Sequence, residues 1–196
     1  MPVTWSFKMP NPKKGVVALG QTYFAVQTRR QEVSDEALLT GISDDQRRLL
    51  LRQEIKKQNT DLASAAKGVG VITSLDFAVF QDHGYQGLYN GLKAKDIHKR
   101  KKLKKSQQIL DHMGSAELAA NLFRSTQAEE KLRRDDVQGK ENANRVHYEA
   151  GIMVRQAIAG FGGTMPEDLP TADSIKKLER DNKKRLKSTK PDSSED

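Results

Sequence analysis

The chain has 196 residues, 36% of them apolar and 31% charged, with 34 Lys or Arg against 26 Asp or Glu, a net charge of +8, and no cysteine. That is length for one cored domain or two small ones. The missing cysteine excludes a disulfide scaffold and a thiolate metal site, and no apolar run approaches the roughly 20 residues of a membrane-spanning helix. The N-terminus "MPVTWSFKMPNPKK" lacks the apolar stretch of a secretory signal. A cytoplasmic protein with an acidic partner such as nucleic acid is the expectation.

In chain order, "GVVALGQTYFAVQTRRQEV" sets Val16, Leu19, Tyr23 and Val26 at helical spacing, with Val17 and Phe24 widening the apolar arc. A short piece, 34–39, ends at Gly41. Ser43 then opens a long helix as its N-cap, with Asp44 and Asp45 in the first turn, where the helix dipole favours negative charge. Leu51, Ile55 and Leu62 mark its inner face, and Gly68 and Gly70 its end. The segment "SLDFAVFQDHGYQGLYNGL" reads as strand or helix. Leu88 and Leu92, four apart, favour helix with Ser74 as cap, against the weakening of Gly84, Gly87 and Gly91.

Ser115 is expected to cap the next helix, with Leu118/Leu122 and Ala119/Phe123 on its apolar side. Gly139 interrupts, and a helix from about 140 to 159 buries Val146, Ala150, Val154 and Ala157. "TMPEDLPT" is an extended connector set by two prolines. A highly charged helix follows over roughly 172–187, with Ile175, Leu178 and Leu186 apolar. The expected organisation is an N-terminus 1–14 apart from the fold, a helical domain 15–161, a connector 162–171, the helix 172–187 and a disordered acidic tail 188–196. The class is all-α, an elongated multi-helix assembly.

The window "KAKDIHKRKKLKK", Lys93 to Lys105, holds eight basic residues against Asp96 and so carries +7, leaving +1 for the rest of the chain. On one continuous helix Ile97 and Leu103 would point about 120° apart, so a single narrow face cannot take both. Splitting the segment lets Leu88, Leu92 and Ile97 pack together while Leu103, Leu110 and Met113 form a stripe on a second helix. The bend then falls between Arg100 and Lys102. This is a helix-turn-helix-like pair around 93–113, although Lys102 occupies the place where its turn often has glycine. Lys93, Lys95, Lys99, Arg100, Lys101, Lys102, Lys104 and Lys105 would meet phosphates, and Ser106 and Gln107 would lie nearest the bases. The competing readings are a basic docking surface for an acidic protein and a solvated helical face.

Other chemistry is weaker. His83, His98, His112 and His147 show no metal-ligand spacing, so structural or surface roles are expected. "HGYQGLYNG" suggests a phosphate cradle but lacks the P-loop ending. Tyr85 and Tyr89 read as packing residues, with base stacking by Tyr85 the alternative. No carboxylate pair or activated nucleophile is placed by spacing. No enzymatic activity, metal or cofactor is expected.

Four stretches together, "VALGQTYFAVQTRRQE" (17–32), "FQDHGYQGLYNGL" (80–92), "AKDIHKRKKLKKSQQILDHMGSAELAANLFRSTQAEEKLRR" (94–134) and "GGTMPEDLPT" (162–171), resemble the bacterial DNA-damage-inducible protein D family over about 11–178. The resemblance implies expression in the SOS response under LexA-type control, no known enzymatic activity, and a task in recombination and repair. Single strands coated by the RecA recombinase are the central object there. DNA, the RecA filament, or both are thus the expected partners. Typical members carry a preceding domain resembling the N-terminal domain of baculovirus repeated-ORF proteins. Here "MPVTWSFKM" stands in its place, so the chain reads as a truncated form, with the 16–26 apolar face left for self-association.

Overall fold

The structure, a computed structural model, describes residues 43–188, with side chains to residue 181. The apolar segment 16–26, the piece 34–39 and the tail from residue 189 lie outside the described residues, and with them the self-association face. Six α-helices, two 3-10 turns and no strand make up what is described. The helices are α1 (Asp44–Gly68), α2 (Ser74–Leu88), α3 (Ala94–Arg100), α4 (Ser115–Arg134), α5 (Lys140–Gly160) and α6 (Ile175–Ser188). The 3-10 turns are Ile109–His112 and Pro166–Asp168. The all-α class is the one expected.

The starts of α1 and α2 follow from capping chemistry, whereas α4 has Gly114, not the expected Ser115, at its cap and no side-chain bond there. The Ser43 hydroxyl accepts from the Gln46 amide at 3.3 Å, and the Gln46 side chain accepts from the Ser43 amide at 2.9 Å. This reciprocal box satisfies two backbone donors at the α1 terminus. α2 uses the same device one residue earlier than expected, because Thr73 and not Ser74 is its cap, boxed with Asp76. The Asp76 carboxylate accepts from the Thr73 amide at 3.0 Å and from Lys140 at 2.9 Å. Those bonds hold it far below the usual carboxylate range and tie the start of α5 to the start of α2.

α2 lies against α5, and α1 against α4. The glycines that weakened the helical reading of α2 serve this contact. A Cβ on Gly87 would collide with the Tyr148 carbonyl, and one on Gly84 with the Arg124 and His147 side chains. A Cβ on Gly151 would lie 2.7 Å from both the Gly84 oxygen and the Leu88 nitrogen. The "HGYQGLYNG" stretch is therefore a helix-packing seam and not a phosphate cradle. Val146, Ala150, Val154 and Ala157 are all buried on α5, as their spacing predicts. Leu88, Ile97 and Met113 share one apolar cluster with Leu118, Val154 and Ile175. Leu62, Phe80, Ala128 and Leu132 belong to a second, with Val146.

Polar groups run through this core. Tyr85 and Tyr89 are 7% and 0% exposed, so packing is the outcome and Tyr85 offers no face for base stacking. Arg124 stacks over the Tyr85 ring, 4.7 Å from its centroid, and its Nη1 lies 2.6 Å from His147 Nε2. His147 Nδ1 is 2.9 Å from the Phe80 carbonyl and must donate to it, which leaves Nε2 as acceptor for Arg124. Burial, and then the adjacent guanidinium, push the His147 pKa well below its ordinary value. On α4 the expected face was incomplete: Leu118 is buried, but so are Glu117, Asn121, Arg124 and Ser125.

Candidate nucleic-acid interface

The basic window begins at a fixed helix start. The Lys93 amide donates to Asp96 Oδ2 at 3.0 Å, and the Ala94 amide donates to Asp82 Oδ1 of α2 at 3.0 Å. Ile97, only 2% exposed, seats α3 on the core. The helix ends at Arg100, as the apolar spacing requires. The Lys102 amide then bonds the Lys99 carbonyl at 3.0 Å and the Leu103 amide the His98 carbonyl at 3.2 Å. That pair of bonds is a Schellman motif, with Lys102 at φ +53 in the left-handed position that glycine usually fills.

The second helix of the expected pair does not form. After Lys102 the chain passes through turns to the four-residue 3-10 turn Ile109–His112. The reason is local satisfaction of the backbone. His98 Nε2 lies 3.1 Å from the carbonyls of both Lys104 and Gln107. The Gln107 side chain accepts from the Lys104 amide at 2.7 Å. Side-chain bonds of this kind compete with a helical ladder. Leu103 and Leu110 are half-buried and Met113 is buried, but they do not line one helix, and there is no recognition helix to present Ser106 and Gln107.

The candidate residues separate into two groups. Lys101 turns inward: its Nζ lies 2.8 Å from Glu117 Oε2, with side chains 7% and 0% exposed. Tyr89 donates to the other Glu117 oxygen at 2.9 Å, and Asn121 donates to the Tyr89 hydroxyl at 2.8 Å. Burial raises the Glu117 pKa even against the pull of Lys101. Lys101 is thus removed from the phosphate-contacting set, because a network of core side chains already satisfies it. Arg100 is exposed but engaged, donating to the Glu167 carbonyl at 2.6 Å and pairing with Asp168 at 2.9 Å. Arg155 grips the Glu167 carboxylate with both Nη atoms, at 2.7 and 2.8 Å. This anchors the "GGTMPEDLPT" connector beside α3.

Lys93, Lys95, Lys99, Lys102, Lys104, Lys105 and Ser106 are exposed, and Gln107 is half-buried. None of those six lysines has an ion pair among the described residues. No group of His, Asp and Glu among those residues has a metal-binding arrangement. Nor is any described helix long and apolar enough to cross a membrane. Sequence reasoning missed His98 as the organiser of the loop and Glu117 as the partner of Lys101. A signal for the latter was the acid at the third position of α4, on the same face as Leu118 and Asn121.

A family model described as the DinD C-terminal domain matches residues 42–178. The chain belongs to the DinD family. DNA damage-inducible protein D of Escherichia coli (strain K12) is 59% identical over 170 residues, which cover 86% of this chain and 62% of that protein. The chain therefore spans less than two thirds of that relative's length. No solved structure matches it. The DinD match opens one residue before the Ser43 cap and takes in the whole basic window, ending in the first turn of α6.

Proposed function

We propose that the chain is a non-enzymatic DNA-damage-response protein. On this reading it contacts DNA, bare or coated by the RecA recombinase, through the exposed cations of α3 and the loop after it. Lys102, Lys104 and Lys105, with Lys93, Lys95 and Lys99 behind them, neutralise phosphates, and Ser106 supplies a hydroxyl. Lys102 is the observation that carries this reading. An L side chain in the left-handed region costs roughly 1 kcal/mol relative to glycine, so a lysine at φ +53 retains charge at the expense of backbone comfort. Strained positions of this type cluster at functional sites. The family's link to DNA damage supplies the setting.

The test is a salt titration of binding to labelled single- and double-stranded DNA, with and without RecA. The wild type is expected to show a log–log slope steeper than about −3 on bare DNA. Replacing Lys102, Lys104 and Lys105 by Glu is expected to abolish binding while the circular dichroism stays helical. Tight binding by that variant at matched salt would remove the loop from the interface. Binding only in the presence of RecA, with a flat salt response, would move the function onto a protein-binding surface.

A further inference from the structure

We propose that α6 forms a second arm of the same DNA-contacting surface, so that the protein grips the phosphate backbone at two separate elements; this rests on the reading above. α6 holds seven Lys or Arg against two acids, an excess second only to that of the basic window.

Its position is set from the core side. Ile175 is 1% exposed, and Leu178 packs against the same cluster. The residues leading into α6 are held firmly: the Ala172 amide donates to the His112 carbonyl at 3.0 Å, and Arg48 Nη2 donates to the Asp173 carbonyl at 2.5 Å. The helix therefore starts beside the 3-10 turn that closes the basic loop.

The two elements meet at one carboxylate. Asp111, buried, pairs with Arg52 of α1 at 2.9 Å and with Lys176 of α6 at 3.5 Å. Arg52 also donates to the Gln108 side chain at 3.2 Å, just past the exposed lysines. Two cations thus face a single acid, and the junction stays positive between the two arms. In the middle of the window Arg100 and Lys101 are matched by Asp168 and Glu117. Beyond that pair the exposed Lys102, Lys104 and Lys105 lead toward α6, while Lys93, Lys95 and Lys99 remain without an ion pair among the described residues on the α3 side. Lys177 and Arg180 are exposed, with no ion pair among the described residues.

The ligand chemistry is a row of phosphates. α6 has 14 residues, so it is about 21 Å long and matches about six steps along a B-form duplex. The tyrosines next to the window are buried, which leaves charge, not stacking, to hold the nucleic acid. Duplex DNA is the occupant this arrangement fits.

The experiment compares salt titrations of a labelled duplex bound by the full chain in four forms. They are the wild type, a loop variant (Lys104→Gln with Lys105→Gln), an α6 variant (Lys177→Gln, Arg180→Gln and Lys184→Gln) and a charge-keeping α6 variant (Lys177→Arg, Arg180→Lys and Lys184→Arg). The α6 neutralisation is expected to flatten the slope by about two to three and to weaken binding at least ~10-fold near 100 mM salt, while the charge-keeping variant stays close to wild type. An unchanged slope in the α6 variant, beside a loop variant that loses binding, would overturn the second arm and leave the loop reading standing. Wild type that fails to bind the duplex at all would overturn both. Equal losses in the neutralised and charge-keeping variants would show that α6 matters through packing, which also overturns the proposal.

Discussion

At the end of α3, Lys101 runs into the core against Glu117, while Lys102, the next residue, stands exposed in a left-handed turn. The same contrast holds for the whole window. Its middle, Arg100 and Lys101, is matched by carboxylates from α4 and the connector and fastens the structure together. The lysines after it are matched by nothing among the described residues. Charge density along a sequence is therefore not charge density on a surface: the turn at Lys102 decides which cations solvent sees.

The largest expected effect tests the inward half. Lys101→Ala strands the Glu117 carboxylate in the core, and breaking a buried pair by removing one partner costs about 3–5 kcal/mol. Urea denaturation should show that loss for Lys101→Ala and a change under about 0.5 kcal/mol for Lys104→Ala. Similar small values at both sites would erase the distinction between the two halves. A second test sharpens it with another buried cation, Arg124. Folded His147 stays neutral beside Arg124, where the unfolded side chain takes a proton. Stability is thus full above the ordinary value of 6.5 and falls as pH drops below it, by at most about 1.4 kcal/mol per pH unit. His147→Gln keeps an acceptor for Arg124 and a donor for the Phe80 carbonyl, so its thermal midpoint should vary less between pH 7 and 5 than that of the wild type. The smallest effect concerns the outward half. Lys102→Gly should raise stability by up to ~1 kcal/mol through relief of the left-handed turn, yet flatten the DNA salt slope by about one. A gain in stability with an unchanged slope would mean that Lys102 meets no phosphate.

Much of the fold was legible because its signals are local. Ser43 capped where expected, the α5 stripe from Val146 to Ala157 was buried as spaced, and the incompatibility of Ile97 with Leu103 located the end of α3. The readings that failed depended on partners far away in sequence. Apolar periodicity treats Glu117, Asn121 and Arg124 as surface residues, and only the opposing Lys101, Tyr89 and His147 make them core. The second helix of the pair was lost to His98, whose ring reaches forward to Lys104 and Gln107 and replaces the ladder that spacing alone implied. Of the candidate site, the exposed lysines could be read directly. The withdrawal of Lys101 and the engagement of Arg100 could not, since nothing in "KRKK" records which side of the turn each residue occupies.

The glycine seam between α2 and α5 bears on the order in which the protein assembles. Phe80 and His147, bonded along that seam, lie 67 positions apart, and α3, the basic loop and α4 are all contained in the stretch between them. Closing so long a loop carries an entropic cost that must be met before its contacts offset it. Gly84, Gly87 and Gly151 bring the two helices so close that a Cβ at any of them would collide. The basic loop thus lies inside the long closure that the α2–α5 seam makes, so its lysines are carried to the finished surface within that loop.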